Sequence, residues 1–183
     1  MLQDTEQDLI ERLHDPATQQ AAFSDLVKMF SESLYWQIRK IVLSHDDAND
    51  VLQNTLIKVW SSIDNFRGDS KLSTWLYRIA VNESITFLNK QRSQNNVSMD
   101  DADSFLLSRL EGDEYFDGDE AQLQLQKAIL TLPEKQRIVF NMRYFDDMKY
   151  EDMSEVLETS VGALKASYHH AVKKIEEFLS KEH

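Results

Sequence analysis

Apolar residues recur at helical spacing through most of the chain. Phe23, Leu26, Val27, Phe30 and Leu34 lie three to four positions apart, and Ile38, Ile41 and Val42 extend the stripe. This spacing predicts a long helix, opened by Asp15 as N-cap with Pro16 at the first helical position. Ser44-His45-Asp46-Asp47 supplies a break and a fresh cap, after which Leu52, Leu56, Val59 and Ile63 fall on one helical face. A polar turn from Asp64 to Ser70 holds Gly68. The next helix draws its buried face from Leu72, Trp75, Leu76, Ile79 and Ala80, and ends with Lys90 and Arg92 beside its negative dipole end.

The pattern fades between Ser93 and Glu120. That stretch is rich in Ser, Asn, Gln, Asp and Glu, and its few apolar residues (Phe105, Leu106, Leu107, Leu110, Tyr115, Phe116) suffice for one short docked turn. It reads as a solvated linker, too charged to enclose a core. The pattern then returns with Leu123, Leu125, Ile129 and Leu132. Pro133 opens a helix carrying Ile138, Val139, Met142 and Phe145, which Asp146-Asp147 ends. A helix over 150–157, a turn at Glu158-Thr159-Ser160 and a last long helix follow. Val161, Leu164, Tyr168, Ala171, Ile175 and Phe178 give that last helix the cleanest apolar stripe in the chain.

Composition narrows the picture. Only four glycines and two prolines punctuate 183 residues, too few for the many reversals of a sandwich, barrel or propeller. The expected fold is all-α: two small helical bundles, residues 1–92 and 122–183, joined by a flexible acidic linker over 93–121. No cysteine is present, which excludes a disulfide scaffold, a Cys-ligated zinc site and thiol catalysis. Met1 to Ile10 does not resemble a secretory signal, and no run of 18 apolar residues suggests a membrane span. A cytoplasmic protein is expected.

The net charge of −12 disfavours a free-standing nucleic-acid binder, but the charge is unevenly placed. The first block sums to −3, the linker to −8 and the second block to −1. Acidic runs such as Asp100, Asp101, Asp103 and Asp113 to Asp119 lack the alternating ligands and closing Glu of a calcium loop, so no metal site is expected. No Gly-rich phosphate loop, H-E-x-x-H pair or nucleophile elbow occurs, so neither an enzyme nor a cofactor is indicated. His169 and His170 are adjacent and point to different helix faces, so they do not chelate together.

Two features remain. Two helices around a three-residue turn make a helix-turn-helix pattern, with Lys165, Ser167, His169, His170, Lys173 and Lys174 on the outward face of the second. That face suits a major groove, although an ordinary helical hairpin with a solvated polar face has the same pattern. The other feature is Phe66-Arg67-Gly68-Asp69-Ser70 followed by Thr74-Trp75-Leu76-Tyr77-Arg78-Ile79-Ala80-Val81-Asn82. Aromatics and arginines around a polar turn can stack unpaired bases; the same aromatics can also serve only as core.

At these residues the chain resembles the extracytoplasmic-function (ECF) sigma factors, the minimal specificity subunits of bacterial RNA polymerase. Asp47 to Trp60, Phe66 to Asn82, and Leu132-Pro133-Glu134 through Val161-Gly162-Ala163-Leu164-Lys165 carry the resemblance, in the family's order. It implies a σ2-like domain over 1–92, a linker over 93–121 and a σ4-like domain over 122–183. Asp47, Asp50, Gln53 and Asn54 would face the clamp of the polymerase largest subunit, with the upstream flap as a second contact. Phe66, Arg67, Gly68, Asp69, Ser70, Trp75, Arg78 and Asn82 would serve the −10 element, capturing a base flipped from the non-template strand. Arg143, Tyr150, Glu151, Lys165, Ser167, His169, His170 and Lys173 would serve the −35 element. Family members commonly carry arginines on the terminal helix, where this chain has Lys165, Ser167, His170 and Val172.

The resemblance also implies core RNA polymerase and promoter DNA as partners, with no small-molecule substrate. An anti-sigma factor is a common further partner; a membrane-bound one would hold the protein at the inner membrane face. Two other classes fit parts of the pattern. A non-sigma helix-turn-helix regulator that binds duplex operators directly, as a dimer on palindromic sites, leaves the Arg67–Asn82 stretch without a use. A helical module that binds only protein through Asp47–Asn54 leaves both DNA faces without one.

Overall fold

The computed structural model describes residues 2–96, 98, 102–111 and 118–181. Asp100, Asp101 and Asp113 of the acidic runs lie outside the described residues. Among the described residues the regular structure is helical: α1 (Leu2–His14), α2 (Gln19–Val42), α3 (His45–Ser62), α4 (Leu72–Gln94), α5 (Ala102–Glu111), α6 (Glu120–Leu130), α7 (Glu134–Tyr144), α8 (Tyr150–Leu157) and α9 (Val161–Lys181).

In the first block α2 packs against both α3 and α4, while α1 lies along α2. The core is made by the predicted stripes. Leu26, Leu34, Ile38, Val42, Val59, Ile63, Leu72, Leu76 and Ala80 are buried, whereas Leu52 and Leu56 are half-buried and Val51, outside the predicted stripe, is buried beside them. Ser44 caps α3 through Oγ, which accepts from the Asp47 backbone N–H at 3.4 Å. Two expectations shift. α2 begins at Gln19 rather than Pro16, because the Asp15 carboxylate accepts from the Ala17 N–H at 3.0 Å and makes a separate turn before the helix. α1 is a helix that the apolar spacing alone does not announce, and it buries Leu9 and Leu13.

The second block stacks α6 and α7 against α9, with α8 alongside. Ala128, Ile129, Leu132, Phe140, Ala171 and Ile175 form its own apolar cluster. Phe145, expected in the buried set of α7, is instead 40% exposed. The helix has ended by then, and its ring lies edge-on to Tyr144.

The blocks meet along one seam, α8 lying against α4 and α7 against α2. Met142, Met153, Val156 and Leu164 join the same buried cluster as Leu76, Val81 and Leu88. The acidic stretch contributes α5, longer than a single turn, with Leu106 and Leu110 buried on that cluster.

Candidate nucleic-acid interface

The Phe66–Ser70 loop is held at both ends by α1. At its start, His14 Nε2 lies 2.9 Å from the Phe66 carbonyl oxygen. At its end, the Leu72 backbone N–H donates to Glu6 at 2.6 Å, which caps α4 where Lys71 offers no side-chain cap. Between these ties Phe66 is 4% exposed and packs on Trp75 at 5.0 Å between ring centroids. Phe66 therefore supports the loop from below, and what faces solvent is Arg67, Gly68 and Asp69. Glu6 and His14 are positioning residues that no local motif marks, since their partners are 66 and 52 residues away.

Gly68 has φ +76°, with open space where a Cβ would stand. Replacement by alanine therefore meets no steric neighbour and costs only backbone strain, about 1–2 kcal/mol. Urea unfolding should show that loss. An unchanged midpoint would mean that the loop relaxes to another conformation.

From the loop, α4 carries Trp75, Arg78 and Asn82 along one face at i, i+3 and i+7. Trp75 is half-buried, whereas Arg78 and Asn82 are exposed. Arg78 pairs with Glu158 of the second block. Asn82 lines a cavity of about 200 Å³ with Val81, Ile85, Glu134, Leu157 and Thr159.

On α3, Asp50, Gln53 and Asn54 are exposed and line a groove whose other wall is Glu83, Phe87, Lys90 and Gln91 of α4. Asp47 is turned from this group into an ion pair with Arg109 of α5. Burial pushes the Arg109 guanidinium below its ordinary value. The structure thus brings three of the four expected polymerase-facing residues together at the surface and covers the fourth.

The helix-turn-helix forms where it was expected. Glu158 ends α8 in the left-handed region, and Ser160 Oγ accepts from the Ala163 N–H at 3.2 Å to start α9. The Arg143 guanidinium lies 5.1 Å and the Lys165 ammonium 5.7 Å from the Tyr150 ring, so one aromatic face region gathers two cations. Arg143 also donates to Asp147 at 3.2 Å and to the Met148 carbonyl at 3.3 Å, which fixes its direction. Glu151 is exposed beside this group. On α9, Lys165, His169, His170 and Lys173 are exposed and Ser167 is half-buried. Lys173 stands about 12 Å along the helix from Lys165, two turns beyond the Tyr150 cluster. Phe140 and Tyr168 stack beneath the helix at 5.8 Å. Burial, helped by Tyr150, raises the Tyr168 phenol above its ordinary value.

Comparison with known proteins bears on both blocks. Residues 26–94 match the family model for Sigma-70 region 2, and residues 122–175 match that for Sigma-70, region 4. The RNA polymerase sigma-H factor of Pseudomonas aeruginosa is 30% identical over 98% of this chain and 96% of its own length. The chain belongs to the ECF sigma factors. The ECF RNA polymerase sigma-E factor of Escherichia coli is 30% identical, with 94% of this sigma factor and 93% of the relative covered. Among solved structures, CnrH in complex with the cytosolic domain of CnrY shares the sigma factor's fold at a TM-score of 0.71 and 20% identity, over 97% of this chain and 99% of that one. The sigma factor RpoE of Bartonella quintana, in complex with the anti-sigma factor NepR, matches at 0.65 and 22% identity over 86% and 96%.

Proposed function

We infer that this protein is the subunit that directs core RNA polymerase to promoters and helps open them. The observation that carries the reading is one chain with two different reading surfaces, in the family's order. One is the loop-and-α4 face of Arg67, Arg78 and Asn82; the other is the α8–α9 helix-turn-helix. The first suits unpaired bases and the second suits major-groove edges. Residues 1–92 act as the σ2-like domain, 122–183 as the σ4-like domain, and 93–121 as the connection.

The mechanism is binding energy rather than chemistry. Extruding a base costs a few kcal/mol in stacking and pairing. A loop already held open by Glu6 and His14 spends nothing on ordering itself, so its contacts to the extruded base offset that cost. Arg67 and Arg78 hold the backbone, Asn82 reads the base, and Trp75 with Phe66 forms the floor. Upstream, Arg143, Tyr150, Glu151, Lys165, Ser167, His169, His170 and Lys173 meet the −35 element. Asp47, Asp50, Gln53 and Asn54 dock on the clamp, the second block reaches the upstream flap, and nucleotide addition belongs to the polymerase. The work is cytoplasmic. A helical anti-sigma factor is the expected antagonist, since one protein of the same fold, RpoE of Bartonella quintana, is seen in complex with the anti-sigma factor NepR.

Run-off transcription with core polymerase and a genomic promoter library tests this. Transcripts that need both the sigma factor and a promoter bearing −35 and −10 elements are expected. Their absence across the library, with core binding intact, would leave a protein-binding module and overturn the reading.

A further inference from the structure

One side chain of α1 makes two contacts on its way to the Phe66–Ser70 loop. His14 Nδ1 lies 2.8 Å from the Ile10 carbonyl oxygen, and Nε2 lies 2.9 Å from that of Phe66. Ile10 is one turn back on the same helix, so the first contact sets the rotation of the ring. The second spans 52 residues of sequence to reach the loop. Both partners are carbonyl oxygens, which only accept. A neutral imidazole has one N–H and one bare nitrogen, so it satisfies one carbonyl and turns a lone pair on the other. The imidazolium has two N–H groups and satisfies both. The geometry is that of the charged ring.

The surroundings leave this task to His14. Among the described residues no backbone N–H reaches the Phe66 carbonyl, although Phe66 itself is buried against Trp75. The neighbouring carboxylates are placed elsewhere. On α1, Glu6 accepts from the Leu72 N–H at 2.6 Å, Asp8 from Arg12 at 3.1 Å and Glu11 from Gln7 at 3.4 Å. Asp25 of α2 accepts from Arg12 at 2.9 Å. In the turns on either side, Asp15 accepts from the Ala17 N–H and Asp64 from the Gln19 amide at 2.9 Å. In the loop, Arg67 and Asp69 are exposed. His14 also stands at the C-terminal end of α1, where the helix dipole favours a cation.

We propose that His14 is a positioning residue that works in its charged form, tying the loop to α1 in the shape that receives an extruded base. Without the second proton the ring holds one carbonyl against repulsion from the other, and the tie slackens. This rests on the promoter-recognition reading above. Promoter opening by this sigma factor then strengthens as pH falls from 8 toward 5, the range in which histidine ordinarily changes charge. His14 touches no base. It acts on Arg67 and Gly68 through the Phe66 backbone.

The variants His14→Arg and His14→Gln separate the proton from the side chain. Arginine keeps a charge and several donors at every pH, whereas glutamine offers one amide donor and no charge. His45, His169 and His170 remain in all three proteins, so whatever they contribute is shared. Holoenzyme is titrated with a −10 non-template oligonucleotide, which carries no −35 duplex. Wild type should bind about fivefold tighter at pH 6 than at pH 8, the size of one net hydrogen bond. His14→Arg should stay near the tight value throughout, and His14→Gln near the weak one.

Nuclear magnetic resonance of the free, full-length protein reads the tie itself. The amide signals of Arg67, Gly68 and Asp69 should shift with the same midpoint as the His14 ring nitrogens, and should lose that step in His14→Gln. Loop amides that stay still while His14 titrates would overturn the proposal. So would a ratio of wild-type to His14→Arg affinity that is the same at pH 6 and pH 8. Run-off transcription by the wild-type holoenzyme is measured in parallel at pH 6.5. No transcript there removes the promoter reading, whereas transcripts with unmoved loop amides remove only the role of the proton.

Discussion

Replacing Arg67 and Asn82 together by alanine lowers open-complex formation on duplex promoters about a hundredfold while leaving affinity for core polymerase unchanged. Both side chains are exposed, so the substitution removes contacts rather than packing. The charge-assisted contact of Arg67 to the backbone is worth about 1.5–3 kcal/mol and the hydrogen bond of Asn82 to the base about 0.5–1.5 kcal/mol, and every 1.4 kcal/mol is tenfold in an equilibrium. Two lost contacts therefore amount to about two decades. The same variant on a template with a premelted −10 bubble recovers most of its rate, because the duplex is already open and the missing contacts need no longer offset extrusion. Permanganate footprinting of the non-template strand on both templates checks this. Equal defects on duplex and bubble would place the two residues in docking instead of melting, and no defect on either would remove them from the interface.

Much of the fold was legible because it depends on local spacing. α8 and α9 begin and end around the Glu158–Ser160 turn where the apolar pattern changes, and Ser44 caps α3 as its position before an acidic turn suggests. Errors arose where a side chain took a local partner that the pattern does not show. Asp15 turned toward Ala17 and delayed α2, and Phe145 fell past the end of α7 and stayed exposed. Burial of Phe66 shows the limit for site residues: the loop was found, but which of its side chains face outward depends on Trp75 beneath it.

The rest depends on long-range pairs. Lys40 and Asp146 lie 106 residues apart, and Glu6 caps a helix that begins 66 residues later. Neither has a motif. Charge summed by block does not show these pairs, since sums of −3, −8 and −1 leave out which face of each block carries which sign. The structure resolves this by sorting signs within the blocks: the seam face of the first is cationic and that of the second anionic. Screening acts over roughly 8 Å at physiological salt, so this local sorting matters more than the total of −12.

Phe140→Ala is expected to unfold the second block ahead of the first. The ring is 3% exposed and stacks on Tyr144 at 5.1 Å and on Tyr168 at 5.8 Å, inside the cluster of Ala128, Ile129, Leu132, Ala171 and Ile175. Truncating a buried phenylalanine costs about 3–5 kcal/mol. A unit of this size has a total stability of only about 3–9 kcal/mol, so most of its margin disappears. The three tryptophans, Trp36, Trp60 and Trp75, all lie in the first block, so fluorescence reports that block while far-ultraviolet circular dichroism reports every helix. In the wild-type protein the two signals should change together in urea, because one buried cluster runs through the seam. In Phe140→Ala the dichroism should fall first. A small early shift from Trp36, which lies beside Asp146 and Met148, should mark the loss of the seam before the main fluorescence change. Signals that move together to a lower midpoint would mean that neither block stands without the other.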